Sequence, residues 1–290
     1  MKDSDEGDQM QGGGAPEGAC PAGPPSFSTA TGTKIGKTLA VMSGKGGVGK
    51  SAVATLIAAE LHRRGSKVGV LDADITGPSI PRGLGITGRI TVGPDGVIPA
   101  ESSGGLKVMS MNLVLPSEDD AVIWRGPLVS GAVKQFYEEC AWGELDYLVI
   151  DLPPGTSDVP LTIMQSIPLD GIILVTSPQQ LAGVIVAKAR KMAASLNAPV
   201  LGLVENMSFV TCPSCGEKVT PFAESHGEEI AVAMDIPFLG RLPLDPEISR
   251  LADAGKLEEY RSEAVAEVLD NVLGEDTPVR RAPVKERKEK

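Results

Sequence analysis

The sequence predicts an α/β fold: a single domain built on a mostly parallel sheet, with helices on both faces. Three observations predict it. Short β-branched apolar runs of strand length recur along the body, among them "TLAVMSG", "KVGVLDAD", "DYLVIDLPPG", "GIILVTS", "VLGLVEN" and "FLGRLP". Helical patterns separate most of them, the order that gives parallel strands joined by crossover helices. The length of 290 residues suits one large α/β domain, which buries roughly three quarters of its unfolded surface.

Taken in order, residues 1–34 are rich in Gly, Pro, Ser and Ala and carry neither a strand nor a helix period, so they are expected to form a disordered arm. "TLAVMSG" is the first buried strand. "KSAVATLIAAELHRRG" follows as a helix closed by Gly65, and "KVGVLDAD" as the next strand. "QQLAGVIVAKARKMAASLN" is a later helix. Near the end Val265, Val268, Leu269, Val272 and Leu273 fall at helical spacing and are read as a core face. The domain is expected over residues 35–275. Residues 276–290, including "PVRRAPVKERKEK", read as a charged, solvated tail. No repeat at solenoid spacing occurs. In such folds ligands bind at the carboxyl ends of the strands, which is where the motifs are sought.

A net charge of -11 argues against a large surface devoted to nucleic acid or anionic lipid, since both need a positive field. The acidic start lacks the basic and apolar regions of a signal peptide. The apolar runs are far shorter than the roughly 20 residues of a membrane span. A cytoplasmic protein with neither nucleic acid nor membrane as partner is the expectation. In that reducing compartment a close cysteine pair points to metal binding or redox chemistry rather than to a disulfide framework.

"SGKGGVGKS", Ser43 to Ser51, follows the first strand and opens the first helix, the context in which G-x-x-x-x-G-K-[ST] is a phosphate-binding P-loop. Gly44, Gly46, Gly47, Val48 and Gly49 let backbone N–H groups converge on phosphate oxygens, and the helix N-terminus adds partial positive charge. Lys50 is expected to reach the β- and γ-phosphates of ATP, and the Ser51 hydroxyl to ligate Mg²⁺.

Lys45 is a second lysine inside the loop. With it, "GKGGVGKS" resembles the deviant Walker motif of the MinD/ParA/nitrogenase-reductase class of ATPases. That resemblance implies that Lys45 crosses a two-fold interface to the partner's nucleotide, and hence an ATP-dependent homodimer. In "LDADITGPS" Asp74 matches the carboxylate that positions or activates the attacking water. In "VIDLPPGTSD" Asp151 is expected to hold Mg²⁺ and the Gly155 N–H to sense the γ-phosphate. In "GLVENMS", which is read as the end of a strand, Asn206 matches an adenine-reading asparagine; a strand-end cap is its alternative. Asp72 and Asp158 fit a capping or turn role at least as well as a functional one.

Cys212 and Cys215, in "NMSFVTCPSCGEKVTPF", stand in a chain with two other cysteines, Cys20 and Cys140, and two histidines. Pro213 and Gly216 fit a tight turn that points both sulfurs the same way. A tetrahedral thiolate site or a [4Fe-4S] cluster needs four ligands, and this pair supplies two. "DLPPGTSD", "VENMS" and "CPSCG", in that order behind the P-loop, resemble the Mrp/ApbC family of iron-sulfur carrier ATPases, also called Nbp-type scaffolds. The resemblance covers nearly all of residues 35–275, with the cysteines in an insertion near residues 208–221. It implies a [4Fe-4S] cluster shared by the cysteine pairs of two chains, delivered to apo-proteins after loading by iron and sulfide donors. A bridging zinc, with His226 as a further ligand, and a thiol-disulfide or structural pair remain open. Cys140 reads as a buried helix residue. The rivals in function are an electron donor like nitrogenase reductase, a MinD- or ParA-like positioning ATPase supported by the six basic residues after Thr277, and a passive scaffold.

Overall fold

The computed structural model describes residues 30, 32–74, 79–88, 90–94, 96–114, 126–178, 182–222 and 225–274. The expected arm up to residue 29 with Cys20, residues 75–78 of the segment after Asp74, and the tail from residue 275 lie outside the described residues.

The strands are β1 (Lys34–Ser43), β2 (Val68–Asp72), β3 (Thr91–Gly93), β4 (Gly96–Ile98), β5 (Ala100–Glu101), β6 (Lys107–Ser110), β7 (Glu144–Asp151), β8 (Gly171–Thr176), β9 (Val200–Thr211), β10 (Lys218–Val219) and β11 (Phe238–Pro243). The helices are α1 (Lys50–Arg63), α2 (Ile80–Gly83), α3 (Gly126–Glu139), α4 (Asp158–Ser166), α5 (Ala182–Ser195), α6 (Gly227–Ala233), α7 (Pro246–Asp253) and α8 (Glu263–Leu273). Among the described residues nine strands form one sheet in the order β10-β9-β8-β1-β7-β2-β6-β5, with β11 also paired to β9. Only β10 and β5 run antiparallel to their neighbours in it, and β3 and β4 make a separate hairpin.

Alternation along each strand builds two cores. Leu39 and Val41 of β1 face the layer of α1, α7 and α8. Ala40 and Met42 face the layer of α3, α4, α5 and α6. The period of two thus buries both faces of the sheet, as near-continuous apolar strands require. Val265, Val268, Leu269 and Val272 of α8 are buried in the first core, so the helical stripe is a core face.

Three boundaries depart from the sequence reading. β1 begins at Lys34, inside the expected arm, because the polar stretch before Thr38 lies on an exposed part of the strand while still pairing with β7 from Lys34 opposite Glu144. β9 continues to Thr211, five residues past Asn206, because β11 pairs with it as far as Phe209 and β10 beyond. Cys140 falls just after α3, bridged to Val97. It is buried, which pushes its thiol up to about 12.

Candidate functional site

The carboxyl ends of β1, β7 and β2 and the middle of β9, at Asn206, meet at the P-loop. Ser43 ends β1, and Gly47 and Gly49 take the left-handed backbone (φ 80° and 75°) that turns the chain into α1. Only glycine suits Gly49 on a second count. A Cβ there would lie 2.3 Å from Asn206 Nδ2.

Parallel register places Asp151 beside Val41 of β1 and Asp72 of β2. Asp151 is fully buried. Its Oδ1 accepts from Lys50 Nζ at 2.5 Å and its Oδ2 from Ser51 Oγ at 2.5 Å. Burial pushes its carboxyl up, against the opposing pull of the Lys50 ammonium and the Ser51 hydroxyl. Asp72 accepts the Asp74 N–H at 3.1 Å and faces Ser110 Oγ at 3.3 Å, the turn role weighed for it. Burial first, and the Asp151 charge second, hold Asp72 well above the usual carboxylate range. Asp74 is buried beside this group at the end of the described segment.

Lys45 is half-buried in the loop, with its carbonyl accepting from Ser43 Oγ at 2.9 Å. Gly155 has φ 91°, and its N–H donates to the Ser43 carbonyl at 2.9 Å, so phosphate sensing by that N–H requires this bond to be exchanged. Asn206 is no strand-end cap. It sits inside β9, 5% exposed, and donates Nδ2 to the Val48 carbonyl at 2.9 Å. Asp158 opens α4.

Cys212 and Cys215 lie apart from this cluster. Asn206 and Cys212 are six positions apart, which at about 3.3 Å per strand residue is at most about 20 Å. The pair forms the tip of the β9–β10 hairpin, with Cys212 half-buried and Cys215 exposed, both as free thiols. The Cys212 N–H donates to the Glu217 carbonyl and the Gly216 N–H to the Cys212 carbonyl, each at 2.9 Å, with Gly216 at φ 75°. Lys218 Nζ lies 4.5 Å from the Phe209 ring centre across the hairpin base. The backbone N–H of Cys215, then that of Ser214 and the Cys215 thiol, lower the Cys212 pKa and favour the thiolate that binds metals. His226 pairs instead with Glu229, Nδ1 to Oε2 at 3.0 Å. Among the described residues no group of three or more His, Cys, Asp or Glu is placed to hold a metal ion.

A family model described as NUBPL iron-transfer P-loop NTPase, within the ParA group, matches residues 34–275. The chain belongs to this family. The iron-sulfur cluster carrier protein of Methanocaldococcus jannaschii is 46% identical over 252 residues, covering 83% of this chain and 87% of the relative. The Clostridium perfringens protein of the same name is 42% identical over 255 residues, covering 85% and 89%. A nucleotide-binding protein from Archaeoglobus fulgidus, solved in complex with ADP, superposes with a TM-score of 0.72 at 44% identity, covering 79% of this chain and 90% of that one. MinD in the MinC:MinD complex of Aquifex aeolicus shares the fold, with a TM-score of 0.60 at 20% identity over 84% of this chain and 98% of that one.

In this iron-transfer P-loop NTPase two groups escaped the motif reading. Glu205, beside Asn206, is 1% exposed and bound to two serines; the available signal was a charged residue inside an apolar strand. For Asp72 the sequence supports a capping or turn role at least as well as a functional one, and its burial against Asp151 appears only once β2 and β7 are paired. A folded-state pKa above the unfolded value means stability that is complete below the unfolded pKa and lost as pH rises through the folded one. Asp72→Asn keeps the turn acceptor and removes the charge. The variant should therefore be more stable than wild type at pH 8, by about 1.4 kcal/mol per unit of upward shift, with the gap closing toward pH 4. Denaturant unfolding at both pH values measures this, and a gap that does not change with pH would clear Asp72 of the titration.

Proposed function

We propose that the protein is an ATP-hydrolysing iron-sulfur cluster carrier whose domain spans residues 35–275, working as a homodimer that holds a [4Fe-4S] cluster between two hairpins and passes it to apo-proteins. The observation that carries this is one chain joining a complete P-loop to two adjacent thiols on a projecting turn. Two chains supply the four thiolates that a four-iron cluster needs. Val219 and Phe222, which follow the cysteine turn in sequence and are more than half exposed, are apolar surface that a second copy would cover.

ATP binds with its phosphates on the N–H groups of residues 44–49. Lys50 turns from Asp151 to the β- and γ-phosphates, and Asn206 reads the adenine. Ser51 and Asp151 offer the hard oxygen donors that suit Mg²⁺, and this ion when bound neutralises charge on the β- and γ-phosphate oxygens. Asp74 orients the water that attacks the γ-phosphorus as the bond to the β-phosphate oxygen breaks. Lys45 of the second copy and Lys50 stabilise the charge that develops. Gly155 exchanges its bond to Ser43 for the γ-phosphate, and so reports which nucleotide is bound.

Anaerobic reconstitution with iron and sulfide tests the reading. About two irons and two sulfides per chain, on a dimer, are expected for a bridging four-iron cluster. Zinc near one half per chain would instead assign the same thiolates to a structural metal. Retention on DNA or anionic vesicles that falls with salt would favour a positioning ATPase.

A further inference from the structure

One strand, β9, serves both halves of the molecule, and it is irregular between them. Met207 has φ 58°, a left-handed conformation that a long side chain rarely adopts. Against β11 the register runs from Arg241 opposite Glu205 to Pro243 opposite Phe209. Residues 206–208 therefore stand opposite Leu242 alone. Such a bulge bends its strand and re-aims side chains. Here it presses Asn206 and Met207 against the P-loop. A Cβ on Gly49 would come within 2.3 Å of Asn206 Nδ2 and 3.2 Å of Met207 Cε.

What pins the bulge is Glu205. Its Oε2 accepts from Ser208 Oγ at 2.6 Å and Ser225 Oγ at 2.5 Å. Arg241 Nε lies 3.8 Å from the same oxygen and donates to Ser225 Oγ at 2.8 Å. Oε1 abuts the start of α6, where a Cβ on Gly227 would come within 2.9 Å of it. One buried carboxylate thus ties β9 to β11 and to the segment entering α6. Burying a charge is costly unless it is paired and hydrogen-bonded, and the two serines and Arg241 meet that cost here, so the carboxylate holds three separate segments in one fixed arrangement.

We propose that Glu205 is a positioning residue: it anchors the bulge, so that movement of Val48 and Gly49 on nucleotide binding passes along β9 to the Cys212/Cys215 hairpin instead of being absorbed at Met207. The proposal rests on the nucleotide and thiolate roles given above, and its test separates from theirs. Nucleotide affinity is first measured by titration with a fluorescent ADP analogue. Alkylation of Cys212 and Cys215 by iodoacetamide is then followed peptide by peptide, on the full chain, with and without saturating ADP or a non-hydrolysable ATP analogue.

In wild type the alkylation rate should change by about fivefold with nucleotide, the lower range of coupling between sites. Glu205→Ala, compared at nucleotide concentrations that its own titration shows to be saturating, should lose that change. Glu205→Gln, which keeps an acceptor for the serines, should recover most of it. Should Glu205→Ala fail to fold, Ser225→Ala, which removes one donor at a half-buried position, must still reduce the ratio. An unchanged ratio in Glu205→Ala or Ser225→Ala, or equal rates in wild type with nucleotide demonstrably bound, would overturn the proposal. A wild type that binds no nucleotide fails in the titration, and takes the nucleotide reading down with it.

Discussion

Lys50→Ala should abolish ATP turnover, lowering it by about 100-fold or more, because a cation aimed at the transferring phosphoryl group is lost from a site screened from water. The same change should unsettle the fold. Lys50 and Asp151 are 5% and 0% exposed and meet at 2.5 Å. Removing one partner of a buried pair leaves an uncompensated charge, at a cost of about 3–5 kcal/mol. Loss of the ammonium raises the folded pKa of Asp151 further, and the carboxylate escapes by taking up a proton. Stability is thus retained at low pH and lost as pH climbs, so the deficit against wild type should be smaller at pH 5 than at pH 8. Lys50→Ala/Asp151→Asn should recover most of the stability and none of the turnover. Phosphate release and denaturant unfolding, measured on both variants, check the two halves separately. Turnover that survives in Lys50→Ala would remove the lysine, and with it the P-loop, from the chemistry.

Cys212→Ser/Cys215→Ser should bring iron after reconstitution from about two per chain to background, a loss that follows from removing all four thiolates of a shared site at once. Neither residue supports the core. Both sit at the tip of a hairpin whose turn is held by backbone bonds from Cys212 and Gly216, so unfolding should shift by no more than about 0.5 kcal/mol. Nucleotide binding should be unchanged. Cys212 also carries the lowered pKa, first through the Cys215 N–H, so in wild type it should alkylate faster than an ordinary thiol at neutral pH. Iron that persists in the double variant would place the cluster elsewhere and end the carrier reading, while leaving the family membership intact.

Much of this molecule is written locally. The P-loop is eight consecutive residues between a strand and a helix, the cysteine pair is two residues on one turn, and the layer order follows from strand-length runs alternating with helices. Each depends on spacing within a few residues, which a single chain displays directly. The end of β9 was misread for the same reason. Asn206, Met207 and Ser208 look like a strand terminus in isolation, because what continues the strand is β11, a partner about 35 residues away.

What only the tertiary structure decided is which chemistry meets which. Lys50 and Asp151 are 101 positions apart, and Asn206 reaches Val48 across 158. Glu205 gathers Ser225 and Arg241 from two other segments. These contacts are set by strand order and register across the sheet, where the sequence separation is too long for any local period to encode. Burial supplies the rest. An aspartate reads the same in a sequence at a solvated turn or between two strands, and it is the removal of water around Asp72 and Asp151 that makes their charges consequential.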